Sequence, residues 1–527
     1  MSGSYLTLGG PAGGAHPAVV RRRVHELALL GLTALIALLL ALGVAAAVPH
    51  PNVLLTIVAI VGVLAITYLM VSPRLDVSVL VLGLYLGCLD GPVKLISGGG
   101  TSVSAMRDVL IFAVCLGAIM RWLTKKEPLQ LPPLSVWVLG FVLCVAVEAL
   151  NPNTVGVTKI LGGFRQQLEW VPFFFFGYLL IRSKQRLRKL FLLFGVIAAA
   201  NSLVAAYQVR LNPHTLAAWG PGYAEKVLGT NGVTGTTFAG GVRPLALGSD
   251  IGYSGTVGVI ALPCMLALLA TARPRRRWIY ALLALLAALG IGVSLSRTSV
   301  IGAVVTLVAF AALSFSLGSR VARPLVAMLV LLALAIPLAS VVTSTEGTAI
   351  FSRYSSIAGS QAASSATGDK SATLSQLGVD VANDPFGFGL GVSGAASSFG
   401  GHTSVRLEGH GFSSETEFNF LMNEIGLPGL LLWLAFLIYL GTLVLRRLSL
   451  IKDLEVRLEL AALFSVLAGL FIEGFAGAFT AGTAGGPYFW LTAGIAAYWL
   501  AGPGLKYPAN AAPAIPASTA AAPGGAV

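Results

Sequence analysis

Four arginines stand in short polar segments between long apolar runs, namely Arg165 in GGFRQQLEW, Arg243 in GGVRPLALGSD, Arg297 in SLSRTS and Arg406 in HTSVRLEG. A guanidinium at a membrane boundary is costly to leave unpaired. Its planar fork binds phosphate oxygens through two hydrogen bonds and stays charged at any relevant pH. These arginines therefore fit a diphosphate or an anionic lipid headgroup. Snorkelling to lipid headgroups, or pairing with Asp250 or Glu169, is the alternative for any one of them.

Candidate proton acceptors cluster in one polar stretch before the last apolar runs, namely His402, His410, Glu415 and Glu417. A general base needs reach to the reacting hydroxyl and a tunable pKa, which each of these side chains offers. The alternative is that the two histidines are solvated loop residues. The two glutamates would then only complement the N-terminus of the helix that follows them.

Two further carboxylates, Glu424 and Glu473, fall inside apolar runs, where an ionisable residue is by default a candidate for function. Nearby, Gly387, Gly389 and Gly391 alternate along NDPFGFGLGVSG. Such spacing permits close backbone approach or a phosphate-binding nest of N–H groups.

The composition excludes an ordinary soluble domain. Of the 527 residues, 56% are hydrophobic and 10% are charged, against roughly 25% charged in an average soluble domain. The net charge of +13 arises from short basic clusters between apolar runs. No basic stripe with interleaved aromatic residues suggests nucleic acid as a partner. The four cysteines are scattered through apolar runs, so we expect neither a disulfide framework nor a zinc site.

Apolar runs of about 20 residues predict an all-α polytopic membrane protein with about 12 to 14 transmembrane helices. The predicted spans are 24–48, 52–72, 76–90, 106–123, 133–149, 167–181, 190–209, 251–272, 278–294, 298–317, 324–342, 418–445, 458–480 and 486–502.

Alternate connections collect 23 of the 34 lysines and arginines on one side. The positive-inside rule makes that side cytoplasmic, with both termini on it. The two long loops then face outward and form a cap, and the second contains one helix-compatible stretch near 371–383. The predicted organisation is a disordered N-terminus (1–20), N-terminal helices (21–209), a first outer loop (210–250), central helices with the Arg297 turn (251–342), a large outer loop (343–417), C-terminal helices (418–502) and a disordered Ala/Pro-rich tail (503–527).

Over roughly residues 160 to 445, the order and spacing of several segments resemble the bacterial O-antigen ligase and O-antigen polymerase superfamily. These proteins are extracytoplasmic glycosyltransferases with a GT-C type helical fold. The segments are FRQQLEW, VRPLALG, SLSRTSVIGAVV, RYSSI, DPFGFGLG and NFLMNEIGLPGLLLW.

The resemblance implies a bacterial inner-membrane enzyme whose active site faces outward. Its donor would be a glycan linked to undecaprenyl diphosphate, and its acceptor a hydroxyl of another glycan or a lipid. Transfer would invert the anomeric carbon and need neither metal nor cofactor. By position, Arg243 and Arg297 would bind the donor diphosphate, with Arg165 as a helper.

The ligases commonly place a histidine, followed by asparagine, about eleven residues before the glycine of the closing helix. Counting back from Gly426, this chain has Glu415 and Thr416 there. We therefore expect Glu415 to act as the base, with His410 as the alternative and Arg406, Glu417 and His402 as secondary candidates. The departure favours polymerases or less characterised relatives over lipopolysaccharide ligases.

Two other functions fit part of the pattern. A transporter or flippase of lipid-linked oligosaccharide would suit about fourteen helices, but two long outer loops and the absence of a detectable repeat between halves count against it. A peptidoglycan polymerase of the shape, elongation and division class would share the lipid diphosphate donor.

Overall fold

The part of the chain that the structure describes has helices and one antiparallel ladder of two residues in each strand. The computed structural model describes residues 64, 66–70, 72, 74–98, 101–125, 131–154, 156–229, 237–238, 241–314, 326–335, 337, 369–398 and 416–505. The first predicted span, most of the second, the predicted disordered N-terminus and residues 506–527 of the predicted disordered tail lie outside these residues. The first three residues of that tail, Pro503–Leu505, form a short 3-10 helix.

In the N-terminal half the structure gives the bounds of nine helices, and the described residues 66–70 are helical as well. They are α1 (Leu75–Cys88), α2 (Asp90–Ser97), α3 (Thr101–Lys125), α4 (Ser135–Glu148), α5 (Val157–Leu168), α6 (Pro172–Leu180), α7 (Lys184–Gln208), α8 (Pro213–Ala217) and α9 (Pro221–Leu228).

The ladder of β1 (Thr237–Phe238) and β2 (Gly241–Val242) follows these helices. The remaining helices are α10 (Tyr253–Thr271), α11 (Pro274–Val293), α12 (Arg297–Ser314), α13 (Val326–Ala335), α14 (Asp369–Asn383), α15 (Glu417–Arg447), α16 (Leu454–Glu473) and α17 (Gly485–Trp499). The helix-compatible stretch that the sequence placed near 371–383 is confirmed as α14.

Five described helices are long and apolar enough to cross a membrane, namely α7, α10, α11, α12 and α15. A sixth span arises if α1 and α2, bent by 46° at their break, count as one. The protein is thus an all-α membrane protein, as predicted. The count of 12 to 14 spans and the outer cap stay predictions.

The helix starts follow local sequence rules. Thr416 caps α15, where its hydroxyl accepts a hydrogen bond from the Asn419 backbone N–H. Asp453 caps α16 by accepting from the N–H groups of Glu455 and Val456. Such side-chain acceptors satisfy backbone donors that the first helical turn leaves unpaired.

Contact clustering divides the chain into two compact units. The smaller comprises Met1–Ser78 and Val109–Glu127, and the larger comprises Val79–Asp108 and Pro128–Val527. Within the smaller unit, the Arg121 side chain donates to the Ser72 carbonyl. All the site residues discussed below belong to the larger unit.

One end of the helix bundle in the larger unit, which we call the Lys184 end, gathers basic connections. Lys184 contacts Asp453 at 3.1 Å, and Arg188 contacts Glu459 at 2.7 Å. Although burial alone would raise it, the pKa of Asp453 is lowered by hydrogen bonds from the Val456 backbone and the Lys184 side chain. The sequence predicted that the basic connections lie on one side of the membrane. In the structure, the connection before α7 and the one before α16 contact each other. The side of the membrane that the Lys184 end faces stays a prediction.

The opposite end, which we call the Arg297 end, holds the starts of α10, α12, α15 and α17 and the end of α16. The segment 384–398 docks there on a break in α15. At the break, Gly426 has φ 64° and ψ −176°, and Pro428 follows it. The Leu427 N–H donates to the Pro385 carbonyl at 2.8 Å, so the docked segment replaces a helical hydrogen bond.

Gly426 is expected to be intolerant of a side chain. A Cβ there would approach the Phe386 carbonyl carbon to 2.4 Å, and its φ is left-handed. We expect Gly426→Ala to lower the free energy of unfolding by about 2 kcal/mol or more. Gly441→Ala, in the same helix with nothing within 4 Å of the new Cβ, is the matched control. Thermal melting in detergent measures both variants, and equal melting temperatures would contradict the expectation.

Candidate functional site

Arg297 is the first residue of α12 and is half-buried. The turn before it, from Ser294 to Ser296, lies against the start of α10. A Cβ added to Gly252 would lie 3.3 Å from the Ser296 Cβ. The tight SLSRTS connection thus places Arg297 where two helix N-termini meet. Helix N-termini carry partial positive charge, which adds to that of the guanidinium.

Arg243, also half-buried, lies in the connection between β2 and α10. That connection is fixed to the end of α7. Gln208 exchanges hydrogen bonds with the Ala246 backbone at 2.7 and 3.1 Å, and Asn201 accepts from the Leu247 N–H at 3.0 Å. Because the connection leads directly into Gly252, both predicted diphosphate ligands lie at the Arg297 end.

Glu473, the last residue of α16, is 8% exposed and faces α10 and α12. Its Oε2 accepts a hydrogen bond from the Thr256 hydroxyl at 3.1 Å. Its Oε1 is buried and has no hydrogen-bond partner within the part of the chain that the structure describes. A Cβ on Gly302 would lie 3.3 Å from that oxygen. The carboxyl therefore sits at the junction of three helices with half of its hydrogen-bonding capacity unused.

Glu417, the first residue of α15, is fully buried. Its carboxylate accepts hydrogen bonds from the Thr480 hydroxyl and, at 3.1 Å, from the Thr480 backbone N–H. Its own N–H donates to the Gly474 carbonyl at 2.8 Å. This secondary candidate thus fastens the start of α15 to the segment between α16 and α17.

Glu424 fills a nest of backbone N–H groups in the segment 384–398. Its two oxygens accept from the Gly391 N–H at 2.8 Å, the Ser393 N–H at 2.7 Å and the Ser393 hydroxyl at 3.1 Å. Gly391 has φ 78°, and a Cβ there would lie 2.6 Å from the Lys159 carbonyl oxygen. The glycine spacing predicted either close backbone approach or a phosphate nest. Close approach is what it produces here, and the anion in the nest is the protein's own carboxylate.

The same segment is held from its other side by α5. The buried ammonium of Lys159 donates to the Ser397 carbonyl at 2.7 Å, and Gln166 bonds the Ser393 carbonyl and the Ala396 N–H. Burial lowers the pKa of Lys159, an effect that the Glu424 carboxylate opposes. The segment is therefore part of the rigid scaffold.

A network of three cations and three carboxylates lies beside this scaffold. Arg107, only 8% exposed, donates to Glu169 at 2.6 Å and approaches Asp90 at 3.5 Å. Lys94 bonds the same Asp90 at 2.7 Å. The Arg107 guanidinium also lies 5.0 Å from the Trp170 ring centroid, a distance suited to cation–π attraction.

Arg165 completes the network by pairing with Asp108 at 2.7 Å. The sequence left open pairing with Asp250 or Glu169 for any of its arginines. For Arg165 the structure gives a different carboxylate, because Glu169 binds Arg107 and Asp250 faces Lys226 at 3.4 Å. The helper role of Arg165 toward a donor stays a prediction.

An apolar cavity with an envelope of about 670 Å³, part of it open to the surroundings, runs between α1, α7, α10 and α17. Gly83 and Gly87 line it on α1, where an added Cβ would meet the Leu193 and Ile197 side chains. Three of its lining residues carry a hydroxyl group. Tyr488 lies within α17, and Tyr253 and Thr483 lie at the starts of α10 and α17. The cavity therefore extends from the apolar part of the bundle to the Arg297 end.

Four predicted site residues, namely Glu415, His410, Arg406 and His402, lie outside the described residues. The site also contains residues that were not predicted, above all Arg107, Thr256 and Thr480. Arg107 carried a usable signal, because it is a charged residue inside the predicted span 106–123. Thr256 and Thr480 carried no usable sequence signal, because hydroxyl side chains are common in apolar helices and loops.

Replacing Glu424 tests whether the nest is structural. Glu424→Ala would leave two backbone N–H groups without an acceptor, which we expect to cost about 3 kcal/mol of folding free energy. Glu225→Ala, at an exposed position of α9, is the control. Proteolysis within 384–398 and thermal melting measure the effect. A variant as resistant as the control would show that the nest does not hold this segment.

Comparison with known proteins identified no relative. The chain matched no protein family, no curated protein and no solved structure. Among the described residues, no group of three or more His, Cys, Asp or Glu side chains is placed to hold a metal ion.

Proposed function

We propose that the protein is a membrane glycosyltransferase that takes a glycan from an isoprenoid diphosphate carrier and joins it to an acceptor hydroxyl on the non-cytoplasmic face. The observation that carries the proposal is an apolar cavity that reaches the end of the bundle at which a polar junction lies. Tyr253 lines the cavity, and Thr256, one turn later on the same helix, bonds Glu473. A ligand with a long apolar chain and a polar head fits such a site.

In the proposed reaction the acceptor oxygen attacks the anomeric carbon of the donor sugar. The bond from that carbon to the diphosphate oxygen breaks, and the isoprenoid diphosphate leaves with the electron pair. The hydroxyl proton passes to a base, for which Glu415 and His410 are the candidates. Arg297 and Arg243 stabilise the charge that develops on the leaving diphosphate. Alignment of the two substrates supplies the rest of the acceleration.

Arg297→Ala is the primary test. Losing one donor to a developing oxyanion typically costs 100-fold or more in rate, so we expect release of isoprenoid diphosphate to fall by about that factor. The assay supplies undecaprenyl diphosphate-linked glycan and an acceptor to the purified protein in liposomes. Arg276→Ala, an exposed arginine at the Lys184 end, should retain wild-type rates. Undiminished transfer by the Arg297 variant would remove this residue from the mechanism.

The same assay distinguishes glycosyl transfer from the transporter hypothesis. A flippase would move the lipid-linked glycan across the liposome membrane without cleaving it, so intact donor would appear in the opposite leaflet and no isoprenoid diphosphate would be released.

Glu415→Gln and His410→Ala, measured side by side, identify the base. We expect the amide at position 415 to abolish transfer because it cannot accept the hydroxyl proton. The His410 variant should retain activity. The reverse pattern would assign the base to His410, and full activity in both would exclude both residues.

A further inference from the structure

Glu473 is a buried carboxyl that the proposed reaction does not yet use. It is 8% exposed, and among the described residues its one hydrogen-bond donor is the Thr256 hydroxyl. None of the ion pairs in the described part of the chain includes it. An ionised carboxylate so placed would be costly, and its position at a helix C-terminus adds to that cost. The surroundings therefore favour a neutral carboxyl.

Small residues fix the space around this carboxyl. Helices α12 and α16 pack so closely that a Cβ on Gly469 would lie 2.6 Å from the Gly302 carbonyl oxygen and 2.2 Å from the Thr306 hydroxyl. One turn further along α16, the Glu473 side chain occupies the wedge between α12 and α10. Its length and its bond to Thr256 thus set how these three helices meet.

The two parts of the proposed site meet at this wedge. Arg297 begins α12, five residues before Gly302. On the other side, Gly474 directly follows Glu473, and its carbonyl accepts the Glu417 N–H at 2.8 Å. Glu417 is two residues from Glu415, the candidate base. A shift of Glu473 would therefore move the arginine relative to the segment that carries the base.

We propose that Glu473 is a positioning residue, which in its neutral form accepts the Thr256 hydrogen bond and so holds Arg297 in register with the start of α15. This inference rests on the proposed glycosyl transfer. It assigns Glu473 no contact with substrate. The Glu473 side chain acts by keeping α10, α12 and α16 at the spacing that the donor diphosphate requires.

The test compares Glu473→Gln, Glu473→Ala and Thr256→Val in the glycan-transfer assay. Glutamine is neutral, nearly the same shape and still accepts from Thr256, so transfer should stay within about threefold of wild type. Glu473→Ala should raise the KM for the donor about tenfold, within the range of coupling between neighbouring residues, and leave the acceptor KM unchanged. A loss of folded protein would instead lower kcat alone. Thr442→Val, which removes an exposed hydroxyl on α15, is the control for Thr256→Val.

Two outcomes would overturn the proposal. If folded Glu473→Gln raises the donor KM as much as Glu473→Ala does, the carboxylate works in its ionised form. If Glu473→Ala leaves the donor KM unchanged, the residue does not position the arginine.

A double-mutant cycle of melting temperatures tests this inference independently of the proposed function. The Thr256→Val and Glu473→Ala shifts should be clearly less than additive in the double variant, because both remove one interaction. A wild-type protein that releases no isoprenoid diphosphate would refute the proposed function. The cycle would still decide whether the pair holds the junction, and additive shifts would refute the pair.

Discussion

A carboxyl group enclosed by apolar helices must obtain its hydrogen bonds from the chain itself, because hydrocarbon offers none. The Arg297 end encloses three glutamates and supplies them unequally. Glu424 receives three donors and Glu417 two, from the backbone and side chain of Thr480. Glu473 receives one described donor. The first two carboxylates are consumed in holding loops to helices. The Glu473 carboxyl has fewer hydrogen-bond donors, which distinguishes it from the two carboxylates with a purely structural role.

The arginines of this end divide in a similar way. Arg107 and Arg165 belong to a network in which three cations face three carboxylates, so their charge is neutralised within the fold. Burying such a network costs solvation, which the mutual attraction and hydrogen bonds must offset. Arg297 begins a helix, and the start of α10 lies against the turn before it. Charge and helix dipoles add there, so the local potential favours an anion.

The sequence predicted much of the fold, because the signals for helices are local. Long apolar runs predicted α7, α10, α11 and α12 to within about six residues at each end. It also predicted a short Arg297 turn and a helix near 371–383. The partners of charged residues were harder to predict from sequence. Arg107 and Glu169, for example, are 62 positions apart, and only tertiary packing brings them together. Arg165 shows the same limit, because the alternatives weighed for it omitted Asp108.

The glycine-rich segment shows a second limit. Spacing alone indicated that the backbone of Gly387, Gly389 and Gly391 approaches something closely, and all three have positive φ. Whether a nest of N–H groups binds an external phosphate or an internal carboxylate depends on what packs above it. Here that group is Glu424, two residues before the break in α15. A phosphate site must therefore be sought at Arg243 and Arg297.

The shape of the bundle bears on the choice between transfer and transport. The cavity is lined almost wholly by apolar side chains. A glycan crossing the membrane would need polar partners along its path, whereas an isoprenoid chain needs only apolar walls. Polar and charged groups gather instead at the Arg297 end, where Tyr253 and Thr483 line the cavity. A site built this way favours holding a lipid carrier in place while chemistry proceeds at its head, and that division of labour is what the proposed transfer requires.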